Sequence, residues 1–124
     1  MLRGIGLLVA GLSLFACSSK SKDSGQSPVD KCVGFADTWC SRALGCYTQV
    51  GRLPQSELAT QLDSCKRVAV ASVPCDKAVG VGSTYDQCIG EVNAMPCSTW
   101  DVETSQLSGI LPPASCRGVI QVTR

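Results

Sequence analysis

The residues with chemical potential in this chain are its nine cysteines and a handful of scattered carboxylates. There is no histidine. That removes the commonest general base, and with it Ser-His-Asp and Cys-His catalysis. Asp37, Asp63, Asp86, Glu91 and Asp101 are the carboxylates that could pair for acid–base work. None stands in a diagnostic motif, and each reads more simply as a helix cap or a solvated helix residue. Val79-Gly80-Val81-Gly82 contains glycines but lacks the Gly-Lys-Ser/Thr ending of a phosphate loop. No calcium loop is present either. The cysteines are irregularly spaced, form no C-x-x-C pair and have no histidine to join them, which argues against structural zinc. The expectation is a protein that is not an enzyme and uses no cofactor or metal.

One cysteine stands apart from the rest. Leu14-Phe15-Ala16-Cys17 closes an uncharged stretch, Gly4 to Phe15, that follows Arg3. Such a stretch is too short to span a bilayer as a helix and reads as the core of a signal peptide. The four residues resemble the lipobox of bacterial lipoproteins. That resemblance implies cleavage before Cys17, lipidation of Cys17 with palmitate-like chains, and loss of residues 1–16. Two competing readings are ordinary secretion with cleavage after Ala16 and an uncleaved apolar anchor. The first needs a small residue where Leu14 stands. Setting Cys17 aside leaves eight cysteines, an even number, as a disulfide framework requires. A small exported chain this rich in cysteine is expected to be disulfide-stapled. Ser18 follows the lipidated cysteine. Aspartate is the usual inner-membrane retention signal at that place, so in a two-membrane bacterium the resemblance implies delivery to the outer membrane.

Charge narrows the partners. The whole chain has eleven basic and ten acidic side chains. Loss of Arg3 balances them, and only Lys66-Arg67 are adjacent basic residues. There is no basic stripe for nucleic acid. The expected partners are the membrane, through the N-terminal lipid, and a protein of the cell envelope. The slightly positive mean hydropathy of +0.15 reflects the leader and the cysteines and does not argue for further spans.

These residues must be positioned by a small helical domain. Residues 17–30 are polar and Ser-rich and read as a flexible tether, with a random-coil reach of about 20 Å. Residues 31–124 then form one cysteine-rich domain. The expected fold is all-α, with three to four helices. A first helix is predicted from Asp30, as N-cap, to Tyr47. Its apolar face is Cys32, Phe35, Ala36, Trp39, Cys40, Ala43, Leu44 and Tyr47, at three- and four-residue steps. Phe35 and Trp39 could form a binding stripe, but core packing is the simpler reading. Gly51-Arg52-Leu53-Pro54 breaks the pattern, and a second helix is predicted from Pro54 to Ser72, with Pro54 in its first turn and stripe residues Leu58, Leu62, Cys65, Ala69 and Val73. A short extended piece is expected at Val79–Val81. Ser83-Thr84-Tyr85-Asp86 resembles a capping box and opens a third helix to Ala94. Ser98-Thr99-Trp100-Asp101 repeats the signal for a short fourth helix ending near Gly109. The tail from Cys116 to Val122 is expected to be extended or irregular.

Eight cysteines allow 105 pairings, so connectivity needs geometry. If the first two helices form an antiparallel hairpin about residue 52, Cys40 and Cys65 lie 12 and 13 positions from the turn, and Cys32 and Cys75 lie 20 and 23. Both pairs nest, giving Cys40–Cys65 and Cys32–Cys75. A third helix antiparallel to the second brings Cys97 near Cys46, which leaves Cys88–Cys116.

The lipobox, Cys32-(x7)-Cys40-Ser-Arg-(x3)-Cys46, Tyr85-Asp86-(x)-Cys88 and Leu111-Pro112-Pro113-Ala114-Ser115-Cys116-Arg117-Gly118-Val119 together resemble the small cysteine-rich lipoproteins of myxobacteria and related deltaproteobacteria. That resemblance implies a lipid-anchored envelope protein and carries no biochemical activity. Three function classes stand open. One is a tethered structural or protein-interaction module. The second is a carrier of a small apolar ligand, signalled by a real cavity. The third is a protease inhibitor using an exposed loop such as Gly45–Pro54 or Leu107–Pro113.

Overall fold

A computed structural model describes residues 26–103, 106 and 109–124. Cys17 and the leader lie outside the described residues. The first helix, α1 (Pro28–Gln49), is the spine. It starts earlier than expected. Ser27, not Asp30, is the N-cap, and Asp30 closes a reciprocal capping box from position N3. The Asp30 N–H donates to Ser27 Oγ at 3.1 Å, and the Ser27 N–H donates to Asp30 Oδ2 at 3.2 Å. Pro28 sits at the first turn, where its missing N–H costs nothing. The helix therefore begins within the stretch expected to be tether.

The other end of α1 is closed by a Schellman turn. The Arg52 N–H donates to the Tyr47 carbonyl at 2.9 Å and the Gly51 N–H to that of Thr48 at 3.2 Å. This requires a left-handed residue, and Gly51 has φ +78°. The chain then reverses through a 3₁₀ turn, Gln55–Glu57, into α2 (Leu58–Ser72). Helix α2 thus starts later than predicted, because Pro54 is extended and the 3₁₀ turn intervenes.

A second 3₁₀ turn, Cys75–Lys77, leads into strand β1 (Ala78–Val81), the extended piece expected near there. Strand β2 (Ile120–Val122) returns antiparallel to it, with Val81 opposite Ile120 and Ala78 opposite Val122. This two-stranded sheet is an addition to the all-α expectation. Helix α3 (Tyr85–Ala94) follows β1. Thr84 caps it in sequence only: its hydroxyl donates to the Ser115 carbonyl at 2.7 Å instead. The fourth helix is one turn, α4 (Cys97–Trp100), not a helix to Gly109. Pro96 is its N-cap, so Ser98 and Thr99 lie inside the helix and do not start it.

Four disulfides join these elements: Cys32–Cys75, Cys40–Cys65, Cys46–Cys97 and Cys88–Cys116. The first two are the pairs that the hairpin geometry assigns, the third is the one expected from a helix returning beside α1 and the fourth is the remaining pair; the nested first two show α1 and α2 running antiparallel. Among the described residues thirteen are fully buried apolar ones, and six of these are half-cystines. Much of the interior is therefore sulfur rather than aliphatic packing. The protein is a small, disulfide-stapled helical domain.

Helix α3 approaches α1 closely at Gly34. A Cβ there would stand 3.0 Å from Tyr85 Oη. The hydroxyl donates instead to the Lys31 carbonyl at 2.7 Å, and the Lys31 ammonium lies 4.9 Å from the centre of the Tyr85 ring. Burial, and secondarily the Asp86 charge, raise the Tyr85 pKa.

Candidate functional site

Helix α2 is attached to one side of α1 only. Cys40–Cys65 fastens its middle, and an Asp37–Lys66 ion pair reinforces the same flank. None of its residues is fully buried. Leu62, Ala69 and Val73 of its stripe are half-buried, and Val68 is 64% exposed. The opposite flank of α1 is occupied by α3 and α4. Arg42 holds the C-terminal end of α3 there by donating to the Met95 carbonyl, and Cys46–Cys97 links α1 and α4 covalently. A cleft is left along the middle of α1.

The cleft has two lobes. The narrower, about 240 Å³, is lined by Phe35, Ala36 and Trp39 of α1, by Ala69, Ser72 and Val73, by Cys32, and by Pro112. The wider, about 540 Å³, is lined by Trp39, Ala43, Leu44 and Tyr47, by α2 from Gln61 to Ser72, and by Trp100. Trp39, Ala69 and Ser72 line both lobes. Among the described residues no charged one lines either lobe. Phe35 and Trp39 are therefore not spent on the core alone, as the simpler reading had it; each packs on the core with one face and lines the cleft with the other.

The aromatic lining is rigidly packed. Trp39 stands edge-on to Trp100, with ring centres 4.8 Å apart. Trp100 is 1% exposed, and among the described residues its indole N–H has no hydrogen-bond acceptor. Leaving such a donor unpaired costs roughly 1–3 kcal/mol. Tyr47 borders Trp100 and donates its hydroxyl to the Val102 carbonyl at 3.2 Å. Burial raises its pKa, the Arg52 charge opposing.

Chain comparisons place nothing beside this cleft. No family model, curated protein or solved structure matches the chain.

The carboxylates singled out in the sequence are dispersed. Asp37 pairs with Lys66, Asp63 with Arg67, and Asp101 shares the Arg52 guanidinium with Glu103. Arg52 thereby ties the α1 turn to the segment after α4, and its pKa rises through those hydrogen bonds. Asp86 is exposed in the first turn of α3. Among the described residues no group of three or more potential ligands could hold a metal ion. Of the two loops considered for inhibition, Gly45–Gln49 is the last turn of α1, which leaves only the tight turn at 50–54. Leu107 lies outside the described residues, and Pro112 is a wall of the cleft.

Glu91 is a latch rather than a base. It accepts from the Ser115 hydroxyl and, at 2.9 Å, from the Gln87 amide. The Ser115 bond, then the Gln87 bond, lower its pKa, which disfavours proton abstraction. A depressed folded pKa stabilises above the unfolded value, about 4.3. That contribution is lost as pH falls through the folded pKa. Thermal melts at descending pH should therefore show a loss of stability that Glu91→Gln makes shallower. An identical acid profile in the variant would refute the latch.

Proposed function

We propose that this chain is a lipid-anchored, non-catalytic binding module of the cell envelope, whose binding site is the cleft along α1. The cleft carries this reading. It is an apolar, uncharged, partly open recess in a domain whose carboxylates are dispersed into ion pairs and caps. Apolar recesses with few polar groups are where small molecules and apolar side chains bind. The anchor rests on the lipobox resemblance at Cys17 and on the even set of eight cysteines left for the domain. Among the described residues no helix is long and apolar enough to cross a membrane. Attachment through Cys17 places the domain at a bilayer, in the outer membrane by the Ser18 signal. Tethering there raises its effective concentration towards other envelope components without any new contact.

Fractionation tests the anchor. Wild-type protein is expected in the membrane fraction, with the mass of the N-terminal peptide increased by acyl chains. Cys17→Ser is expected to lose both properties. A variant that stays in the membrane with unchanged detergent partitioning would refute lipidation at Cys17. The non-catalytic assignment is tested by screening the oxidised protein against peptide, ester, glycan and phosphate substrates. Turnover abolished by one carboxylate change, with the fold intact, would refute it.

A further inference from the structure

We infer that the cleft along α1 is a site for one long unbranched acyl chain, with a free fatty acid as the ligand. This rests on the reading of the cleft as the binding site and names its ligand class. The first argument is polarity. Any peptide laid into the cleft brings an N–H and a C=O with every residue, and each needs a partner once buried. The walls offer few. The Tyr47 and Ser72 hydroxyls spend their protons on the Val102 and Val68 carbonyls, so towards a ligand each can only accept. Among the described lining residues Gln61 and Ser64 remain as amide and hydroxyl side-chain donors, both at the wide lobe. A hydrocarbon makes no such demand.

The second argument is shape. The two lobes are adjacent, with Trp39, Ala69 and Ser72 as walls of both, and their α1 residues run from Cys32 to Tyr47. At about 1.5 Å per helical residue that is roughly 22 Å. This suits an extended chain, whereas a helix of about 10 Å diameter does not enter a lobe of about 240 Å³.

The third argument is direction. All-apolar walls surround the narrow lobe apart from Ser72. Gln61, Ser64 and the acceptor-less indole of Trp100 are at the wide one. The methyl end belongs against Phe35 and Val73, and the oxygen-bearing end near Ser64 and Trp100. The Trp100 N–H is itself screened, so an acceptor reaches it only when the indole shifts.

The chain's two tryptophans, Trp39 and Trp100, both line the cleft, so intrinsic fluorescence reads this site alone. The test uses the oxidised full chain with Cys17→Ser, so that no attached lipid competes, and 9,10-dibromostearate below its micelle concentration. The expected result is saturable quenching with one site per chain, which unbrominated stearate reverses. Ala69→Phe and Ser72→Phe, each at the junction of the lobes, should weaken binding at least about tenfold, while Val79→Phe, on the exposed sheet face, should not. Circular dichroism confirms that the variants fold, and the second junction variant serves if the first does not. Absence of saturable quenching, quenching that both junction variants retain, or quenching only from brominated phospholipid vesicles would overturn the inference. If the acid fails to bind but the junction variants release a captured envelope protein, the cleft reading stands and the acyl assignment falls. If neither effect is seen, both fall.

Discussion

Full reduction should unfold this domain, or lower its Tm by tens of degrees. The interior explains the size of the effect. Six of the thirteen fully buried residues among those described are half-cystines, and α2 buries no residue fully. The aliphatic and aromatic core left to a reduced chain is Val92, Val119, Tyr47, Trp100 and three alanines. A domain of this size buries a modest share of its surface and is marginal without cross-links. In the chain-entropy model each disulfide contributes about 3–4 kcal/mol. Nested loops do not add fully, but the sum still rivals the 5–15 kcal/mol of an ordinary domain. Helicity at 222 nm and a calorimetric scan, before and after reductant, measure the outcome. An unchanged melt after verified reduction would show that packing suffices. Peptide mapping without reductant reports the pairings in the same experiment.

Removing only Cys40–Cys65, as Cys40→Ala with Cys65→Ala, should have a localised and nearly as visible effect. This disulfide closes a loop of sequence separation 25, worth about 3 kcal/mol in the same model. At roughly 5 °C per kcal/mol that is a fall in Tm near 15 °C. The loss should concentrate in α2, which beyond the disulfide is held to α1 only by half-buried side chains such as Leu62 and Ala69 and by the exposed Asp37–Lys66 pair. An exposed ion pair contributes about 1 kcal/mol at most. Hydrogen exchange should accelerate across 58–72 while α1 and α3 keep their protection. The cleft loses one wall, so ligand quenching of the tryptophans should vanish with it. Uniform exchange across the chain, or α2 protection equal to wild type, would show that α2 is held by packing instead.

The extent to which the sequence discloses this molecule follows from the range of each interaction. Helix α1 is legible because its face repeats every three or four residues over 22 positions. The hairpin is legible because Gly51 and Pro54 interrupt two such faces, and cysteines equidistant from a turn must meet. The N-cap is displaced because both Ser27 and Asp30 are capping residues, and the reciprocal box between them is a relation, not a composition. Strands β1 and β2 are too short to announce themselves and pair across about forty residues. Pro96 overrides the Ser98-Thr99 signal because it already has the extended conformation typical of an N-cap. The cleft could not be read at all. Periodicity says which face of α1 is apolar; only the tertiary placement of α2 on one flank decides how much of that face is left uncovered.

Three of the four disulfides hang from α1, and the fourth overlaps them, since Cys88 lies inside the interval from Cys46 to Cys97. The bridged intervals therefore overlap into one unbroken span from Cys32 to Cys116. A single backbone cut anywhere in that span leaves both fragments covalently joined. A protease that cleaves the exposed stretch around Leu111 would loosen the Pro112 wall of the cleft without shedding a piece. The damage would be invisible on a gel until reductant is added. The crosslinks thus guard against fragmentation as well as against unfolding.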